Sequence, residues 1–284
     1  MTEVRAAVAR ATARLTESAV ASPRNDAEEL AAHVLRIRRS ALAMVTDWDA
    51  ASAATYDDLV TERARRIPLQ HLTGLAGFRH IELAVGPGVF VPRPETELLV
   101  SWGLTRLAGI VAPVVVDLCA GSGAIGLSVA KELPAATVYA VEQEPLALAW
   151  LRRNAEGTGL QVVAGDATDP ALLAELDAGV DLVLSNPPYI PLGSVVEPEV
   201  GEHDPPAALW GGPDGLAVLR GVAARACRLL RPGGWLAVEH ADQQGQAVPA
   251  LLRAMGDWED VWVDVQDHPD LAGRDRFSTA RRAG

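Results

Sequence analysis

A chain of 284 residues, 49% of them apolar, can bury a core without disulfide staples, as two domains or as one large one. Its formal net charge of −12 argues against a protein that grips duplex nucleic acid by neutralising phosphates, which needs a basic face. The two cysteines, Cys119 and Cys227, form neither a metal-ligand nor a disulfide spacing, and no apolar run could serve as a secretion signal or span a membrane. A reducing, cytoplasmic protein with no metal and no membrane partner is therefore expected.

The first stretch is helical. Val4, Val8, Ala11 and Leu15 recur at helical spacing, and Ser22-Pro23 opens a second helix whose apolar stripe is Leu30, Val34, Leu35 and Ile37. A short helix around Leu42 to Val45 and another from Thr55 to Ile67 complete a small bundle, either a packing module or a docking surface for a macromolecule. Pro68 to Gly74 ends it, and the alternation from Phe78 to Val85 predicts one or two strands of a connecting hairpin. His71 and His80, each alone in apolar surroundings, are read as structural. Prolines 87, 92 and 94 stiffen a linker that carries Phe90 and Arg93 toward the next domain, and Thr96 is expected to cap a helix running to Leu107. This divides the chain into 1–74, a helical bundle; 75–97, a hairpin and proline-rich linker; and 98–284, the catalytic domain.

From 114 onward strands alternate with helices, the pattern of a parallel sheet. Strands are predicted at Val114–Leu118, Thr137–Glu142, Gln161–Ala164, from Asp181 into Asn186-Pro187-Pro188-Tyr189, and at Trp235–Glu239. Helices are predicted at Ala124–Glu132, Pro145–Ala155, Gly215–Leu230 and about 243–254. Two last strands, Trp258–Val265 and Arg276–Ala280, follow, and residues 191–213 form a long loop rich in proline and acids. Right-handed crossovers make this a doubly wound, Rossmann-like α/β sheet.

Asp117-Leu118-Cys119-Ala120-Gly121-Ser122-Gly123 lies between the first strand and its helix, where glycines let backbone approach a ligand and the helix start favours electron-rich groups. Glu142, ending the second strand, is placed to accept ribose hydroxyls. Gly121-x-Gly123-x-x-Gly126 also matches the dinucleotide fingerprint, so a nicotinamide oxidoreductase is a rival. Asp117 tilts against it: its carboxylate suits the ammonium of S-adenosylmethionine and would repel a pyrophosphate. Asp166, with Ala167 after the third strand, can reach an adenine amino group.

The apolar run ending at Asn186-Pro187-Pro188-Tyr189 is the stretch around which the chain is organised. Two prolines forbid helix and fix an extended turn at the carboxyl edge of a strand, where open α/β sheets bind ligands. The Asn186 side-chain oxygen and a carbonyl of Asn186 or Pro187 can accept both N–H bonds of an NH₂ group and hold its nitrogen toward a sulfonium methyl. Tyr189 can stack on the acceptor.

These segments, with Phe90-Val91-Pro92-Arg93-Pro94-Glu95-Thr96-Glu97 and Asp270-Leu271-Ala272-Gly273-Arg274-Asp275-Arg276-Phe277, resemble the glutamine N5-methyltransferases of class I peptide chain release factors over nearly the whole chain. The resemblance implies a class I methyltransferase sheet with a small N-terminal helical domain that helps hold the release factor; a monomer without direct nucleic-acid contact is expected. It implies S-adenosylmethionine held by Phe90, Asp117, Cys119, Ala120, Gly121, Ser122, Gly123, Glu142, Asp166, Ala167 and Asn186. It assigns catalysis to Asn186, Pro187 and Tyr189, with Asn186, Pro187, Pro188 and Tyr189 receiving the glutamine of a Gly-Gly-Gln motif. Cys119 stands where many members have glycine; an ordinary φ with the side chain tucked inward is expected there. Two rivals share the features: an adenine N6 methyltransferase of DNA, which also carries Asn-Pro-Pro-Tyr but wants basic patches, and a non-catalytic adaptor, against which intact Gly121, Glu142 and Asn186 speak.

Overall fold

The computed structural model describes residues 2–255 and 261–284. By internal packing they form two units, one of residues 2–75 with 196–203, the other of residues 76–195 with 204–255 and 261–284.

The first unit contains α1 (Glu3–Glu17), α2 (Pro23–Leu35), a 3₁₀ turn at Arg39–Met44, α3 (Ala50–Ala64) and α4 (Leu69–Thr73). Val4, Leu15, Leu30, Tyr56 and Val60 fill its core. The third helix starts earlier than its apolar residues indicate, because the Asp49 carboxylate accepts the Ser52 N–H at 2.7 Å and caps it. The Pro68 to Gly74 segment, expected to end the bundle, contains one more short helix.

A hairpin, β1 (Leu75–Phe78) and β2 (Ile81–Ala84), starts at the last residue of the first unit and opens the second, followed by α5 (Thr96–Arg106). The alternating sheet follows: β3 (Val114–Leu118), α6 (Ala124–Glu132), β4 (Thr137–Glu142), α7 (Pro145–Ala155), β5 (Gln161–Ala164) and β6 (Val180–Ser185). Two short helices break the predicted loop, α8 (Pro198–His203), which packs with the first unit, and α9 (Pro206–Leu209). The chain closes with α10 (Ala217–Leu229), β7 (Leu230–Glu239), α11 (Ala247–Ala254), β8 (Trp262–Pro269) and β9 (Asp275–Arg282). Residues 258–260 of the predicted penultimate strand lie outside the described residues, and the strand extends past Val265 to Pro269.

The sheet order is β5-β4-β3-β6-β7-β9-β8, parallel from β5 to β7 and antiparallel at β9 and β8. This is the doubly wound α/β architecture that the strand–helix alternation predicts. Successive strand residues face opposite layers: Val115, Leu182 and Leu184 meet Leu99, Ile125 and Leu151, whereas Val116, Leu118 and Val183 meet Leu219, Val222 and Leu252. Because β3 connects one way to β4 and β5, and β6 lies on its other side, the chain reverses its winding between β3 and β6. Ligands bind at such a switch point, beyond the carboxyl ends of the strands. Among the described residues no helix is long and apolar enough to cross a membrane.

Candidate active site

Register brings the two singled-out stretches side by side. Leu118 of β3 pairs with Ser185 of β6, so Cys119 and Asn186 both step off the sheet at the switch point. The Ser185 hydroxyl donates to the Leu118 carbonyl at 2.6 Å and locks the two strand ends together.

The glycine loop is shaped from below. Gly121 and Gly123 have φ of 56° and 91°, the region where only glycine is free of strain. A Cβ on Gly121 would meet no atom within 4 Å, so its outer face is open to a ligand, whereas one on Gly123 would strike Leu151 and Leu127. Glu142 holds this loop: its carboxylate accepts the N–H groups of Gly121, Gln143 and Glu144, each at 2.8 Å. Burial raises its pKa above the ordinary carboxylate value, against those three bonds. The Ser122 carbonyl is anchored by Asn154, whose side chain also bonds both backbone groups of Ala84, and so joins loop and hairpin.

Asp117 is fully buried beneath the loop. One carboxylate oxygen accepts the Gly126 N–H at 2.9 Å, and among the described residues no hydrogen-bond partner meets the other. Burial first, then the negative charge of Glu142, push its pKa up to about 8, against the Gly126 bond. A buried acceptor oxygen without a donor is costly unless a ligand supplies one.

Cys119 departs from expectation. Its φ is 65°, a left-handed conformation that costs a non-glycine residue about 1–2 kcal/mol. Cys119 is half-buried and packs against the core layer that holds Leu118 and Val141, and burial of its thiol raises the pKa well above the usual thiol range. The strand has to turn sharply to deliver the glycine loop, and this outweighs the side chain's preference.

Other predicted residues have different surroundings. Ala120 is buried, and its N–H donates to the Val141 carbonyl at 2.9 Å. Asp166 is exposed, and one of its oxygens accepts both the N–H and the hydroxyl of Thr168. Ala167 is buried in the core layer under α10. Phe90 lies beneath the Arg93 guanidinium, 4.9 Å from the ring centre, and Arg93 pairs with Asp204 at 3.0 Å.

The Asn-Pro-Pro-Tyr turn is clasped from the segment after α9. Ile190 exchanges backbone bonds with Leu209 and Gly211, and the Tyr189 carbonyl accepts from Gln244 at 3.0 Å. Pro187 and Pro188 are buried. Thr96, expected to cap α5, instead occupies its first turn and donates its hydroxyl to Glu239 at 2.7 Å; Glu95 holds the cap position. The Asn186 amide nitrogen in turn donates to Thr96 at 3.4 Å. Thr96, Glu239, Gln244 and Asn154 were not singled out as site residues, since each acts through a partner distant in sequence.

Two family descriptions match the chain: the PrmC N-terminal domain over residues 6–74 and the methyltransferase small domain over residues 85–202. A release factor glutamine methyltransferase of Streptomyces coelicolor is 51% identical over 282 residues, 98% of each chain. Its namesake in Mycolicibacterium smegmatis is 50% identical over 282 residues, 99% of each chain. A 4-amino-L-phenylalanine/4-methylamino-L-phenylalanine methyltransferase of Streptomyces pristinaespiralis is 47% identical over 205 residues, 70% of each chain. With half of its residues shared across nearly the full length of two such relatives, the chain belongs to the release factor glutamine methyltransferase family.

Proposed function

We propose that this protein transfers a methyl group from S-adenosylmethionine to the side-chain amide nitrogen of the glutamine in the Gly-Gly-Gln motif of class I peptide chain release factors. The observation that carries the reading is the pairing of the Asn186 turn with the glycine loop at one switch point, joined by the Leu118–Ser185 register. The residues fit the cofactor. The unpartnered oxygen of Asp117 would take its ammonium group, the Cys119–Gly123 backbone its amino-acid end, and the lone pairs of Glu142 left free by the loop its ribose hydroxyls. Asp166 and Ala167 would flank adenine, and Phe90 would wall the pocket. When bound, this group supplies an electrophilic methyl on sulfonium.

The protein's own part is to hold the acceptor. Asn186 offers its side-chain oxygen because its amide nitrogen is committed to Thr96. That oxygen and the carbonyl of Asn186 or Pro187 would accept the two N–H bonds of a glutamine amide, keep the nitrogen in line and stabilise positive charge developing on it. Pro188 shapes the pocket wall, and Tyr189 packs on the planar amide. The proton leaves to water after transfer, so no strong base is needed. The helical unit would supply contacts for the folded release factor.

The test is mass spectrometry of release factor incubated with enzyme and cofactor, beside DNA and 4-aminophenylalanine as competing acceptors. One added methyl on the tripeptide glutamine is expected; methylation of DNA adenine or of the aryl amine in its place would refute the substrate. Asn186→Ala should lower turnover by about 10²–10³, the loss expected on removing one preorganised polar contact. Its thermal melt should be unchanged.

A further inference from the structure

We propose that Thr96 and Glu239 are positioning residues, a two-member relay that fixes which end of the Asn186 amide faces the methyl acceptor. The inference rests on the functional reading above and adds to it a reason for the polarity of the site.

The two ends of an asparagine amide are nearly the same size and shape, but one donates and the other accepts, so only hydrogen-bond partners choose between them. Asn186 has a partner whose own polarity is set. Thr96 is 4% exposed, and its hydroxyl has a single proton. That proton goes to Glu239 at 2.7 Å, which leaves a lone pair toward Asn186. The atom that meets this lone pair has to be a donor, and it is the amide nitrogen, at 3.4 Å. The amide oxygen then becomes the end presented to the acceptor. Thus an anion at residue 239 dictates an acceptor at the side chain of residue 186.

Protonation inverts the chain. A neutral Glu239 can donate to Thr96, whose proton is then free to bond the Asn186 oxygen. The amide turns over and presents N–H groups to the N–H groups of the incoming glutamine, donor against donor. Glu239 is 1% exposed, and a buried carboxylate is expensive unless it serves something. The groups that act on it besides Thr96 are Arg276 on β9, Glu95 ahead of α5, and the Tyr189 hydroxyl after β6. Arg276 is itself paired with Asp270 at 3.1 Å and neutralises Glu239 only in part. Burial dominates and pushes the Glu239 pKa up to about 7, within the range where the relay switches near neutrality.

The experiment is kcat against pH at saturating cofactor, with release factor as acceptor, for the unaltered protein, Glu239→Gln, Thr96→Val, Thr96→Ser and Asn186→Ala. Saturating cofactor removes any titration of Asp117 from kcat, since that group acts through cofactor affinity. The unaltered protein should show kcat rising through about pH 7, and Glu239→Gln should lose that limb because a neutral amide does not titrate. Thr96→Val should lower kcat about 10- to 100-fold with cofactor affinity and acceptor KM within about threefold, and Thr96→Ser should recover most of the rate. A flat profile for the unaltered protein, an acid limb that survives in Glu239→Gln, or full kcat in Thr96→Val overturns the relay. Should Thr96→Val fail to fold, the comparison of the unaltered and Glu239→Gln profiles decides alone. Full turnover by Asn186→Ala, or no methyl on the glutamine, removes the functional reading and the relay with it. An inert Asn186→Ala beside a fully active Thr96→Val removes only the relay.

Discussion

At the scale of single residues, the site is built from side chains kept in states that a folded protein ordinarily avoids. Asp117 sits fully buried with its pKa raised to about 8, against an ordinary 3.8. Between about pH 4 and 8 the folded chain therefore retains a proton that the unfolded chain has released. This carboxyl's contribution to stability is complete below about pH 4 and is lost as pH rises toward 8. Asp117→Asn cannot titrate, so the cofactor-free variant should lose less thermal stability than the unaltered protein between pH 5 and 8, read as melting temperature against pH. Its cofactor affinity should fall about tenfold or more, because the Asp117 carboxyl can release its proton to become the counter-ion of an ammonium and an amide cannot. Cys119 stores strain of the other kind, backbone strain at φ 65°, and the shape of the loop imposes it.

At the scale of elements, strand ends matter more than strand interiors. The Asn186 turn emerges from β6 with no regular structure of its own. It is held because the segment between α9 and α10 passes close above it. Gly215 marks the closest approach: with φ of 75° it is already in glycine territory, and a Cβ there would overlap the Tyr189 carbonyl oxygen. Gly215→Ala should displace the turn without disturbing β3 or the glycine loop. The expected result is a 10- to 100-fold lower kcat with unchanged cofactor affinity, since misplacement of an acceptor by about 1 Å costs roughly that much. Steady-state kinetics beside cofactor titration checks it. Much of this layer was legible beforehand. The glycine spacing and the run broken by two prolines are local signals, and the sheet places both where they were expected. Thr96 was not legible in the same way: a threonine at a helix start has the ordinary reading of a cap, and nothing nearby in sequence reveals the carboxylate that claims its hydroxyl.

At the scale of the whole molecule, the chain divides its stability between two cores. In the helical unit a buried ion cluster joins segments far apart in sequence. Arg63, 4% exposed, bonds Asp26 at 2.8 Å, the Ile67 carbonyl at 2.9 Å and Glu199 at 3.0 Å, and Arg66 reaches the same Glu199 at 2.9 Å. Arg63→Ala would leave the Asp26 carboxylate buried without its cation, a loss of about 3–5 kcal/mol when one partner of a buried pair is removed. Scanning calorimetry should show the transition of the helical unit lowered or absent while that of the sheet unit persists. A single transition moved as one would mean that the units do not melt separately.

By itself the sequence determined the alternation of strands and helices, the doubly wound sheet, and the glycine loop and Asn-Pro-Pro-Tyr turn as the stretches at its carboxyl edge. These follow from apolar periodicity and from glycine and proline, which act over a few residues. Only the tertiary structure decided what lies behind those stretches: Thr96 bonded to Glu239 across 143 residues, Asn186 bonded to Thr96 across 90, and residues 196–203 packed with the first unit. A hydrogen bond between distant side chains depends on how the whole chain is wound, and neither partner carries a local mark of it.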